Sequence, residues 1–137
     1  MTSEEMRRLK HDLLTPVNHI IGYSELMIET AMDRGQSGLA DEIQEIRKGG
    51  QRMPRLLGEM LSALQDQTAA GQSDAVRCDL RSVLEQIMDF SLSPQNAEEL
   101  DLYAQDLGKI RRAAKELLNF LDKPQELFAV ATRSEQS

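Results

Sequence analysis

The sequence predicts an all-α protein, a four-helix bundle made of two antiparallel helical hairpins. Two observations point there. Hydrophobic residues make up 40% of the 137 positions but aromatics only 4%, with no Trp, so the apolar content is Leu, Ile, Ala and Met, which favour helices over strands. The apolar residues also recur at alternating spacings of three and four, the period of a bundle seam.

The first helix is expected from about Glu4 to Met32, with Thr2 or Ser3 as N-cap and glutamates in its first turn. Along it Met6, Leu9, Leu13, Val17, Ile20, Ser24 and Met27 fall into one stripe. The glycines of Asp33–Gly38 mark a turn, and a second helix follows from about Leu39 to Gln67. Thr68–Asp74 is small and polar and reads as a linker. A third helix is expected from about Ala75 to Leu92, then Ser93–Asn96 breaks the chain with Asn96 as a cap. The fourth runs from Ala97 to Asp122, where Pro124 stops it, and the polar residues beyond read as a frayed tail.

The two halves resemble each other. Aligning Leu9–Ser24 with Val76–Ser91 brings Asp, Leu, Ile and Ser into coincidence, with Lys over Arg, Thr over Ser and Tyr over Phe as near matches. Aligning Glu42–Leu57 with Asp106–Leu121 sets Ile-Arg-Lys over Ile-Arg-Arg and Gly49-Gly50 over Ala113-Ala114. Two successive matches in the same order favour a duplicated hairpin. One hairpin cannot bury both apolar faces, whereas two together can. In the second copy Cys78 stands where the first has His11, and Val83 where it has Pro16.

Charge and composition exclude several function classes. A net charge of −7 argues against a nucleic-acid or anionic-membrane surface. No apolar run approaches the ~18 residues of a membrane span, and the N-terminus lacks the apolar core of a signal peptide, so a cytoplasmic location is expected. The single cysteine, Cys78, excludes an internal disulfide and is expected to be a small buried hydrophobe. Two histidines are too few for a metal site, and none is expected.

The chemistry gathers at His11. Helical geometry puts this residue opposite the seam, facing solvent, with Thr15 and Asn18 on the same face. Leu14 and Ile21 flank that face as half-exposed apolar residues that a partner protein could cover. Pro16 removes a backbone donor, frees the carbonyl of Asp12 and favours a local bend, at a cost of about 3 kcal/mol or more. His19 sits off this face and reads as a surface or packing residue.

The run His11-Asp12-Leu13-Leu14-Thr15-Pro16, followed by Val17-Asn18-His19-Ile20-Ile21-Gly22-Tyr23-Ser24-Glu25-Leu26, resembles the H-box of two-component sensor histidine kinases, in their dimerisation and histidine-phosphotransfer domain. The resemblance covers Met1 to about Gln67 directly. It divides the chain into a phosphoacceptor hairpin (1–67), a linker (68–74), a degenerate second hairpin (75–122) and a tail (123–137). It implies that His11 is the phosphoacceptor, which suits an exposed imidazole that is largely neutral near pH 7. Asp12 would then orient the ring or act as general base, and Thr15 would help position the water that removes phosphate from a receiver aspartate. Leu14, Asn18, Ile21 and Gly22 become the partner-binding residues. The family usually carries Arg or Lys where this chain has Leu14, which makes the patch more apolar.

Nothing in the sequence resembles the ATP-binding domain of a histidine kinase, so autonomous phosphorylation from ATP is not expected. No cofactor is expected on this chain, and Mg²⁺ would come with the receiver. The implied partners are a response-regulator receiver domain and an upstream histidine kinase or ATP-binding domain. Duplication within one chain favours a monomeric pseudo-dimer over a homodimer. The chain reads either as a free-standing phosphotransfer module or as the N-terminal part of a larger kinase or hybrid protein. The alternative from another class is a helical docking module that binds a receiver without phosphoryl transfer.

Overall fold

Four helices account for almost all of residues 3–65, 70–90 and 97–122, which are the residues the computed structural model describes. They are α1 (Ser3–Asp33), α2 (Ser37–Gln65), α3 (Ala70–Asp89) and α4 (Ala97–Asp122). Each packs on its neighbours in the order α1–α2–α3–α4 and α4 closes back on α1, while the diagonal pairs make no close backbone approach among the described residues. This is the expected all-α bundle of two antiparallel hairpins.

The α1–α2 turn is set by Gly35. Its φ of 73° is the left-handed conformation that glycine adopts without steric cost. Gly35 N–H donates to the Met32 carbonyl at 3.0 Å and Gln36 N–H to the Ala31 carbonyl at 2.8 Å, which satisfies the last carbonyls of α1 in a Schellman arrangement. At the same end of the bundle the Tyr103 hydroxyl of α4 donates to Gln36 Oε1 at 2.9 Å, tying the second hairpin to this turn.

Of the expected stripe on α1, Leu9, Leu13, Val17, Ile20, Ser24 and Met27 are buried and Met6 is half-buried. The buried Ser24 hydroxyl donates to the Ile21 carbonyl at 2.8 Å, so the polar group in the seam is satisfied. Pro16 is buried too, and α1 runs unbroken through it. Five large apolar side chains of this helix enter the core, each contributing about 1.5–3 kcal/mol. Together they outweigh the backbone cost of one proline.

At Gly49-Gly50 of α2 the neighbouring helices come close to the backbone. A Cβ at Gly50 would lie 2.8 Å from Ile21 Cγ1 of α1, and one at Gly49 would lie 3.0 Å from Val83 Cγ1 of α3. Neighbouring glycines therefore serve two different interfaces. The aligned residues in α4, Ala113 and Ala114, are both buried.

Burial keeps the register of the aligned halves. Leu13, Pro16, Val17 and Ile20 are buried, and so are their counterparts Leu80, Val83, Leu84 and Ile87. His11, Asp12 and Thr15 are exposed, and so are Cys78, Asp79 and Ser82. Leu9 departs from the pattern, being buried where Val76 is half-buried.

The structure corrects three expectations. α3 begins at Ala70, so most of the segment read as a linker is helical, and it ends at Asp89 rather than Leu92. Ser3 is already the first residue of α1 instead of a cap outside it. Cys78 is exposed, because its place on α3 matches that of His11 on α1 and faces away from the core. Thr2, the 93–96 break with its Asn96 cap, Pro124 and the tail lie outside the described residues. No described helix is long and apolar enough to cross a membrane.

Candidate functional site

His11 lies in the third turn of α1, at the end of the bundle away from the Gly35 turn. With its two neighbours Leu9 and Leu13 committed to the core, helical rotation leaves position 11 outside. Its side chain is 82% exposed, and Asp12 beside it is 68% exposed. His11 Nδ1 stands 3.8 Å from Asp12 Oδ1, too long for a hydrogen bond but within ion-pair range.

Thr15 sits one turn on, exposed, with its hydroxyl donating to the His11 carbonyl at 3.3 Å. Pro16, without an N–H, leaves the Asp12 carbonyl one helix bond short. His11 and Asp12 thus carry unusual carbonyls, one with an added hydroxyl donor and one lacking its amide donor. Asn18 is exposed on the same side, whereas Leu14, Ile21 and Gly22 are half-buried along its flank. Leu14 and Ile21 pack partly against the core, so only part of each is available to a partner. Nothing lies within 4 Å of where a Cβ on Gly22 would project. No packing demand of this bundle accounts for a glycine there.

His19 is separated from this group. Its ring meets the Tyr23 ring edge-on at 6.1 Å between centroids, and Lys109 of α4 places its ammonium 4.9 Å from the centre of the same Tyr23 ring. His19 belongs to this surface packing between α1 and α4 and is far from the His11 face.

Sequence reasoning missed the residues on the N-terminal side of His11. Glu4, Arg7, Arg8 and His11 line one open recess of about 260 Å³. The signal was available, since Arg7 and Arg8 precede His11 by four and three positions, the spacing of neighbours on a helix face. Lys10 points the other way, its Nζ 3.5 Å from the Cβ position of Gly58 on α2.

The second hairpin presents the matching face with different chemistry. Cys78 stands in place of the imidazole, and Arg81 in place of Leu14 reaches across to the Asp122 carboxylate. That hydrogen bond raises the Arg81 pKa above its ordinary value. Arg77, the counterpart of Lys10, donates to the Leu121 carbonyl at 2.7 Å. No three His, Cys, Asp or Glu side chains gather as metal ligands among the described residues.

Residues 1–69, which hold the exposed histidine and both helices of its hairpin, match the family model of the His Kinase A (phospho-acceptor) domain. The chain belongs to the His Kinase A phospho-acceptor family. Two plant proteins are similar to this phospho-acceptor chain. Histidine kinase 3 of Arabidopsis thaliana is 26% identical over 106 residues, covering 76% of this chain and 10% of the plant protein. Probable histidine kinase 5 of Oryza sativa subsp. japonica is 23% identical over 100 residues, covering 73% and 8% respectively. The chain spans about a tenth of the length of these curated relatives. Both similarities are longer than the first hairpin and so extend into the second half of the phospho-acceptor chain. No solved structure matches it.

Proposed function

We propose that this phospho-acceptor chain exchanges a phosphoryl group between His11 and the aspartate of a response-regulator receiver domain. The observation that carries the reading is the pairing at His11, an imidazole 82% exposed with a carboxylate 3.8 Å from Nδ1. Nε2 attacks the phosphorus of the receiver's acyl phosphate. The P–N bond forms, the P–O bond breaks, and the aspartate leaves as carboxylate. Asp12 offsets the positive charge that develops on the ring as Nε2 bonds to phosphorus. In the reverse direction the same carboxylate keeps the ring oriented while phosphorus passes back.

Mg²⁺ arrives with the receiver's acidic pocket, and this chain supplies the nucleophile, its orienting acid and the docking surface. Leu14 and Ile21 give that surface its apolar part, Asn18 a polar contact, and Gly22 a place where a partner backbone approaches closely. Thr15 positions the water that hydrolyses the receiver's acyl phosphate.

The second hairpin, on this reading, is a degenerate copy that takes the place of a partner subunit, so one chain makes a monomeric pseudo-dimer with one acceptor. Conserved burial register between the aligned halves supports this account.

The test is transfer from a receiver. Receivers from the source organism are loaded with acetyl phosphate, freed of donor and mixed with the chain or with His11→Gln. Acid-labile, alkali-stable phosphate on the first but not the second supports the proposal. Receiver binding without transfer by either protein would favour the docking module.

A further inference from the structure

We propose that the recess beside His11 is an anion site in which Arg7 holds the phosphoryl group carried by the imidazole. This inference rests on the phosphoacceptor reading above and adds to it a residue the motif does not contain. Side chains on a helix lean toward its N-terminus, so the His11 ring tilts back over the turn that carries Arg7 and Arg8. Those two guanidinium side chains line the recess of about 260 Å³ together with His11 and the Glu4 carboxylate. The volume accommodates a phosphoryl group and its water.

The two arginines are not equivalent. Arg8 already interacts with another group of the protein. Arg7 makes no salt bridge or side-chain hydrogen bond with a described residue, so its donors are available to a ligand. A need for them follows from charge. A phosphoryl dianion on His11 would stand beside Asp12 on a protein of net charge −7, with Glu4 also at hand. Guanidinium is the side chain best matched to phosphate oxygens, because its planar fork can donate two parallel hydrogen bonds. Arg7 is placed to offset this repulsion on the side of the ring away from the Leu14 flank.

Phosphoramidate separates this proposal from the reading beneath it, since it needs no partner protein. The His11 nitrogen attacks phosphorus, the new P–N bond forms, the bond to the ammonia nitrogen breaks and ammonia leaves. Phosphohistidine is then followed by ³¹P NMR against pH in the full chain and in the Arg7→Gln, Arg7→Lys and Arg7→Glu variants. Circular dichroism of each variant checks the fold. The expected result is a phosphoryl pKa lower in the parent chain than in Arg7→Gln by about half a unit, the size of effect an exposed ion pair produces. Arg7→Lys recovers part of that shift and Arg7→Glu moves it further the other way. Folded variants that form phosphohistidine with the parent's pKa would overturn the Arg7 site alone. A folded parent chain whose His11 takes no phosphoryl group would count against the acceptor reading and remove the site with it.

Discussion

Gly50 of α2 and Ile21 of α1 approach so closely that a methyl group on the glycine would stand 2.8 Å from Ile21 Cγ1. The same Ile21 flanks the His11 face, so this close approach of α2 to α1 lies behind the proposed docking surface.

Gly50→Ala is therefore expected to destabilise the fold. Overpacking of a core contact costs about 1–3 kcal/mol, and the better helix propensity of alanine returns about 1 kcal/mol of it. Gly108→Ala in α4, where nothing lies within 4 Å, should instead stabilise by up to about 1 kcal/mol. Urea denaturation of the two variants should move in opposite directions.

Gly22 gives a related prediction with a functional arm. Gly22→Ala meets nothing in this bundle, so stability should rise by up to about 1 kcal/mol. If a receiver backbone approaches at that position, affinity for it should fall. A stabilised variant that binds a receiver as well as the parent would remove Gly22 from the interface.

Thr15 and His19 should separate cleanly. Thr15→Ala is expected to keep phosphoryl acceptance while slowing receiver dephosphorylation by about tenfold or more, the cost of misplacing a reacting water. His19→Gln, which disturbs only the contact with Tyr23, should leave both rates unchanged.

The pseudo-dimer predicts a gain of function. Cys78 occupies the exposed position matched to His11, followed by exposed Asp79 and Ser82. The double variant His11→Gln, Cys78→His should then accept phosphate from a receiver to a measurable extent. Light scattering of the parent chain should give the mass of one chain. Twice that mass would point to a dimer between chains.

The core of this fold is readable in the sequence because it is periodic. Leu9, Leu13, Val17, Ile20 and Met27 follow a three-and-four spacing that no loop sustains, and all are buried. Periodicity does not reveal how wide the buried face is, and Pro16, beside the stripe residue Val17, is buried as well. The start of α3 was obscured for another reason. Gly71, Ser73 and Asp74 have low helix propensity, which favours a linker reading, yet the helix extends through them to Ala70. Residue type alone misleads at Cys78, since a lone cysteine is usually buried, whereas the alignment with His11 puts it outside, where it lies. At the site, the exposure of His11, Asp12 and Thr15 follows from helix geometry, and the spacing of Arg7 and Arg8 before His11 marks them as its neighbours on the helix face, but the open recess they line depends on how long side chains lie.

The most direct test of the central claim is to expose the folded chain and folded His11→Gln to labelled ATP and a soluble extract of the source cells, with a control acceptor alongside. The account predicts acid-labile, alkali-stable label on the parent chain, mapped to His11, and none on the variant. Equal labelling of both proteins, or none on either while the control acceptor is labelled, would contradict it.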